Sequence, residues 1–245
     1  MTKPEGWPDG VRLAVHDLID STNEEARRLT AAGEAGPLWI VAREQFAGRG
    51  RRGRTWVSTT GNLFATLMTH AEQPIAAQLA FAAGLAVAQT VDSYCSPGDV
   101  TLKWPNDVLL RGAKVAGILL ESLNADTLAI GVGVNLARHP EGTEFPATSI
   151  AALTGFAPDT GEAMTRLAGC MAAWYEVWWM SGFAPIRAAW LQRAAGLQGW
   201  VRARLEGREM EGVFEDIDTD GALLLRDAAG ARVRITAGEV FFPAT

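Results

Sequence analysis

A chain of 245 residues with a formal net charge of −6 has room for one large domain, or for a larger and a smaller one. Its 48% hydrophobic content supports a sizeable core and argues against general disorder. The acidic balance argues against broad nucleic-acid binding, which needs a basic face rather than one basic loop. Cys95 and Cys170 lack metal-ligand spacing and read as reduced core residues. The N-terminal residues Met1 to Pro8 contain no apolar signal-type segment. The longest apolar stretch, Ile75 to Val91, carries Gln78 and Gln89 and is too short and polar to span a membrane. A cytoplasmic protein without membrane association is expected.

Val11 to His16 alternates like a first strand and leads into Asp20-Ser21-Thr22-Asn23-Glu24. Ser21 with Glu24 three residues on predicts a capping box and a helix from Thr22 to about Ala32. A strand at Leu38 to Ala42 and another at Asn62 to Met68 flank Gly48-Arg49-Gly50-Arg51-Arg52-Gly53-Arg54. Glycine permits close backbone approach, and arginine offers a planar charged fork for carboxylate and phosphate. By itself such a run is equally compatible with a solvated surface loop. Two apolar strands anchor it, as a binding loop requires.

Ile75 to Tyr94 reads as a long, mostly buried helix stopped by Pro97-Gly98. A hairpin follows: Val100 to Trp104, Val108 to Leu110, and Lys114 to Glu121 after a tight turn. It places Lys103, Asp107 and Lys114 near its ends, where lysines are mostly solvent-exposed. The next strand, Thr127 to Val134, ends with Gly131 and Gly133, which suggests that something lies against its backbone. A helix from Thr160 to Gly182 carries Met164, Leu167, Met171, Trp174, Tyr175, Trp178 and Trp179 at spacings that mark a buried face. Pro185 to about Ala195 closes a first domain, 1–195. Short alternating runs punctuated by glycine turns then predict a small antiparallel barrel over 196–245.

Asp20-Ser21-Thr22-Asn23, Gln45 through Trp56, Lys103-Trp104-Pro105-Asn106-Asp107, Lys114-Val115-Ala116-Gly117-Ile118-Leu119 with Glu121, and Gly131 through Asn135 together resemble the biotin–protein ligases, in that family's order and spacing. The resemblance covers essentially the whole chain. It implies an α+β fold, with a mixed sheet backed by helices followed by an SH3-like barrel. Only about ten residues precede the first strand, so the winged helix of the DNA-binding members is not expected.

The resemblance implies adenylation of biotin by ATP, with Mg²⁺, and transfer of the biotinyl group to a lysine of a biotin carboxyl carrier protein. Residues matching biotin contacts are Ser21, Thr22, Asn23, Gln45, Arg49, Gly50, Arg51 and Lys114. Those matching nucleotide contacts are Arg49, Arg51, Lys103, Asn106 and Asn135. Lys114 and Arg51 carry the implied chemistry at the carboxylate and α-phosphate, and no residue is assigned as a metal ligand. Asp107 is a candidate to orient the carrier amine or receive its proton, or simply a turn-stabilising residue. Trp56 and Trp104 are candidates to wall biotin's apolar part or to pack in the core. A lipoate or octanoate ligase of the same fold and a non-catalytic biotin-sensing module are the alternatives. Both monomers and homodimers are compatible with the sequence.

Overall fold

The computed structural model describes residues 4–71 and 75–243. Its larger sheet contains β1 (Arg12–Ile19), β2 (Leu38–Gln45), β3 (Leu63–His70), β4 (Val100–Lys103), β5 (Asp107–Leu110), β6 (Ala113–Ser122) and β7 (Thr127–Val134). The spatial order is β1-β2-β3-β7-β6-β5-β4. Only β1 and β2 pair in parallel, and a parallel pair needs a crossover, here the helix α1 (Thr22–Ala31).

Alternation along the strands sends side chains to two faces. Trp39, Ala65, Leu67, Ile130 and Val132 join the main core, whereas Leu38, Ile40, Met68 and Ala129 face a second, smaller core under α1. Being covered on both sides, β3 is buried from Leu63 to Thr69 and reads as one apolar run. The main-core face is covered by α2 (Leu79–Asp92), which packs against α4 (Thr160–Ser181) and α5 (Phe183–Leu191). The stretch Ile75–Asp92 has a mean hydropathy of 1.4, and 67% of it is buried inside the fold, so its apolar character serves core packing. The smaller sheet is the expected SH3-like barrel: β8 (Trp200–Arg204), β9 (Glu209–Ile217), β10 (Leu223–Arg226), β11 (Arg232–Ile235) and β12 (Glu239–Phe241), in the order β11-β10-β9-β8-β12.

Several sequence expectations need correction. Ser21 occupies the N-cap of α1 with extended backbone angles, but its side chain makes no capping bond. Asp20 takes over: its Oδ1 accepts from the Ser21 amide at 2.7 Å, and both its oxygens pair with Arg28. The predicted helix at Ile75 begins as a short 3₁₀ turn, Ile75–Gln78, and α2 ends at Asp92. Trp179 leaves the buried stripe of α4 and is 63% exposed, whereas Trp178 is buried. Residues 193–195 lie beyond α5, and their backbone instead covers the edge strand β4: Leu102 N donates to Arg193 O at 2.8 Å and Ala195 N to Leu102 O at 2.8 Å. Helix α3 (Ile150–Thr154) and strand β12 were not anticipated, because neither is long enough to show a period.

Candidate active site

A cleft of about 330 Å³ opens on the α1 face of the large sheet, beyond the point where the helix stops covering it. Every residue matched to a biotin or nucleotide contact or to the chemistry lines it: Ser21, Thr22, Asn23, Gln45, Arg49, Gly50, Arg51, Lys103, Asn106, Asp107, Lys114 and Asn135. Its floor is made by β6 and β7, with Gly117, Gly131 and Gly133 among the lining residues.

At the α1 end the cleft is a buried polar network. The Thr22 amide donates to Gln45 Oε1 at 2.8 Å, and Gln45 Nε2 donates to Ser58 Oγ at 2.8 Å. The fully buried Thr66 hydroxyl lies 2.8 Å from Thr22 Oγ1 and 2.6 Å from Asn23 Oδ1. Asn23 Nδ2 donates to Glu121 Oε2 at 2.7 Å. Gly131 is glycine because a Cβ there would run into Asn23 Oδ1. What lies against the glycines of β7 is thus the protein itself, Asn23 on Gly131 and the Trp56 indole on Gly133. Such preset amides and hydroxyls suit a small ring bearing both donors and acceptors.

The arginine loop folds over the cleft as a tight hairpin. Trp56 N donates to Gly48 O at 2.9 Å and Gly50 N to Arg54 O at 2.7 Å, with a 3₁₀ turn at Arg51–Gly53. Arg49 pairs with Glu24 and with Glu121, the latter at 3.1 Å. Arg51 Nη1 donates to Asn106 Oδ1 at 3.1 Å and to Gly238 O at 3.4 Å, while Arg54 pairs with Glu239. Helix, sheet and barrel therefore all hold the loop. Burial, followed by the neighbouring charge of Arg52, lowers the Arg51 pKa, yet a guanidinium stays charged in proteins.

Lys114 reaches the cleft through a β-bulge. Val108 pairs with Ala116 but Leu109 with Lys114, so Val115 is the extra residue on β6. Val115 and Ala116 are both fully buried, which lets Lys114 share the cleft face with Gly117. Pro146 O and the Thr148 amide clamp its backbone, at 2.7 and 2.9 Å. Lys114 Nζ lies 2.6 Å from Asp107 Oδ1, and Lys103 Nζ 3.3 Å from Asp107 Oδ2. Burial alone would raise the Asp107 pKa, but attraction from Lys114 and Lys103 outweighs it and holds the carboxyl below its usual range. Burial pushes the Lys103 amine down, opposed by Asp107. Lysines beside a hairpin turn are usually exposed, but Lys103 is only 5% exposed, under the rings of Phe145 and Phe241 at 4.2 and 5.7 Å.

The two candidate tryptophans separate. Trp56 lines the cleft, 5.4 Å from Lys114 Nζ, and its buried Nε1 has no hydrogen-bond partner among the described residues. Trp104 does not line it; its Nε1 donates to Gly221 O at 3.0 Å and ties the large sheet to the segment that enters β10 of the smaller one. Asn135 is buried, with Nδ2 donating to Thr148 O at 3.0 Å. Sequence reasoning gave no role to Glu121, which a period of two from Gly117 on β6 would have placed on the cleft face. It also missed Phe145, Glu239 and Phe241, which carry no local signal because they arrive from distant segments.

Among the described residues no group of three or more His, Cys, Asp or Glu side chains could hold a metal ion. Asp107, the carboxylate deepest among the cations, is already engaged by two lysines.

This fold and cleft define a protein of the biotin and lipoate ligase class: residues 15–135 match the biotin/lipoate A/B protein ligase family, and residues 201–242 match the biotin protein ligase C terminal domain. The chain is 48% identical to a biotin–[acetyl-CoA-carboxylase] ligase of Paracoccus denitrificans, over 91% of this chain and 97% of that protein. It is 35% identical to the ligase of the same name from Mycobacterium tuberculosis, over 96% and 89%. Among solved structures, the biotin protein ligase of Aquifex aeolicus in complex with biotin and ATP superposes with a TM-score of 0.81 at 26% identity, covering 94% of this chain and 97% of that one. The chain belongs to the biotin–protein ligase family.

Proposed function

We propose that the protein activates biotin with ATP as biotinyl-5′-AMP and passes the biotinyl group to a lysine of a biotin carboxyl carrier protein. The observation that carries this reading is the convergence, in one cleft of an acidic protein, of a preset polar pocket with Arg49, Arg51, Lys103 and Lys114. Complexes of related ligases support it, with biotin and ATP in the Aquifex aeolicus structure and with biotinyl-5-AMP in that of Leishmania major.

In this reading Ser21, Thr22, Asn23 and Gln45 receive the ureido ring, and the floor glycines and Trp56 enclose the apolar body. The biotin carboxylate then points toward Lys114. Attack of that carboxylate on the α-phosphorus brings two anions together, so fixed positive charge must stabilise the developing charge. Lys114 supplies a compact ammonium at the point of attack, and Arg51 and Lys103 face the remaining phosphates. Arg49 and Gly50 close the loop over the product, excluding water from a hydrolysable anhydride. Asn106 orients Arg51, and Asn135 fixes the segment beside Lys114. Mg²⁺ would be held by ATP's own phosphate oxygens, as it commonly is in nucleotide sites, and would supply further charge neutralisation.

For transfer, the carrier lysine must shed a proton, since its ordinary pKa is about 10.4. Asp107, with its two oxygens on Lys103 and Lys114, positions those side chains beside the anhydride, and the carrier amine's proton passes to water. Being held ionised by two lysines, Asp107 acts through its charge rather than as a proton store.

The test is ATP-dependent incorporation of labelled biotin into a purified carrier domain, with lipoate as competitor. Incorporation that lipoate does not suppress supports the reading; preferential use of lipoate assigns the cleft to the lipoate branch; nucleotide-independent binding without transfer leaves a sensing module.

A further inference from the structure

The sequence contains three lysines, Lys3, Lys103 and Lys114, beside 19 arginines. Lys3 lies outside the described residues. The other two meet at one carboxylate: Asp107 Oδ1 is 2.6 Å from Lys114 Nζ and Asp107 Oδ2 is 3.3 Å from Lys103 Nζ. Among the described residues, then, the protein presents no lysine amine outside this cluster. Its other side-chain cations are mostly guanidinium groups, which stay protonated and are poor acyl acceptors.

This distribution matters because of what the cleft is proposed to make, and the inference rests on that reading. An activated biotinyl ester reacts with any neutral amine in reach. The amine nitrogen attacks the acyl carbon, a C–N amide bond forms, the acyl C–O bond to phosphate breaks, AMP leaves with that electron pair, and the amine's proton passes to water. In that reading Lys114 stands at the point of attack on the anhydride, so as a free amine it would be the first target.

We propose that Asp107 guards the enzyme against acylating itself, by keeping both amines paired, Lys114 on one carboxylate oxygen and Lys103 on the other, so that neither nitrogen is free to approach the acyl carbon. The groups around the pair fit this role. Lys114 faces Asp107 and the Trp56 ring, with Lys103 on the other oxygen of the same carboxylate. Lys103 faces Asp107, the rings of Phe145 and Phe241, and the more distant charge of Arg54. Burial pushes the Lys103 amine below its ordinary value, and Asp107 is the largest influence opposing that push. Asp107 is a positioning residue here: it acts on the lysines and not on the ester.

The experiment compares the full-length protein with Asp107→Asn and Asp107→Glu variants. Each is treated with the N-hydroxysuccinimide ester of biotin, which needs neither ATP nor adenylation, and labelled lysines are located by peptide mass spectrometry. The intact protein should be labelled at the N-terminal amine and Lys3 but scarcely at Lys103 or Lys114. Asp107→Asn should raise labelling at one or both by about tenfold or more, the equivalent of losing roughly 1.4 kcal/mol of pairing. Asp107→Glu should restore protection. Equal labelling of Lys103 and Lys114 in all three proteins, at matched circular dichroism, overturns the proposal. A parallel arm with biotin and ATP separates the two readings: an intact protein that makes no biotinyl-5′-AMP defeats the proposed function, whereas the ester arm still decides the guarding role.

Discussion

Lys114 and Gly117 share one face of the cleft although they are three residues apart on the same strand. A regular strand would put them on opposite faces, with Lys114 buried beside Ala116 and Ile118. The bulge at Val115 resolves the conflict, spending one extra buried residue to turn an ammonium toward Asp107. Replacing Lys114 by Ala should lower the rate of biotin-dependent pyrophosphate release by about 10²–10³-fold, the usual cost of removing one preorganised charge donor. Lys114→Arg should not restore it, because a planar fork cannot occupy the compact position of the ammonium. Near-normal release by either variant would remove Lys114 from the chemical step.

Gly131 and Asn23 test the polar end of the cleft. A methyl group at Gly131 must displace the Asn23 side chain, which Thr66 and Glu121 hold by hydrogen bonds. Gly131→Ala should therefore weaken biotin binding by about tenfold or more, at an overpacking cost of roughly 1–3 kcal/mol, with little change in ATP affinity. Isothermal titration with each ligand separately distinguishes this from general damage.

Glu121 joins the two halves of the site, accepting from Asn23 at 2.7 Å and from Arg49 at 3.1 Å. Glu121→Ala should raise the KM for both biotin and ATP. In a double-mutant cycle with Arg49→Ala, the ATP effects should fall short of additivity by about 0.5–1 kcal/mol. Strict additivity would mean that the ion pair does not set the position of Arg49.

Asp20 gives the acid limb of stability. Its hydrogen bonds with Arg28 are the main cause of a pKa lowered to about 2 from 3.8, with a further contribution from the Ser21 amide. Because the folded state holds the proton less tightly than the unfolded chain, this contribution is present above about pH 4 and is lost as pH falls toward about 2. Its side chain is 29% exposed, so the contribution is about 1 kcal/mol or less. Asp20→Asn should lower the urea midpoint at neutral pH, and the difference from the parent should vanish toward pH 2.

Much of this protein is written in its local order. Alternation marked β1, apolar runs bounded by turns marked β2 to β7, the glycine-rich arginine run marked the loop, and a change of texture near Gly196 marked the barrel. Residue type alone left the arginine run and the hairpin lysines open to a solvated surface; the resemblance carried by Gln45 through Trp56, Lys103 through Asp107 and Lys114 through Glu121 singled out the residues of the cleft. Their chemistry follows from their functional groups, which need no coordinates.

Other features depended on chain segments meeting in space. The Val115 bulge comes from pairing with β5 and from the clamp at Pro146 and Thr148. Asp20, rather than the Ser21 side chain, secures the start of α1 because Arg28 folds back to it. Trp104 was assigned to the junction of the two sheets only when Gly221 arrived from the barrel. The two lysines converge on Asp107 because β4, β5 and β6 lie side by side, and a strand's neighbours are set by tertiary packing rather than by its own residues.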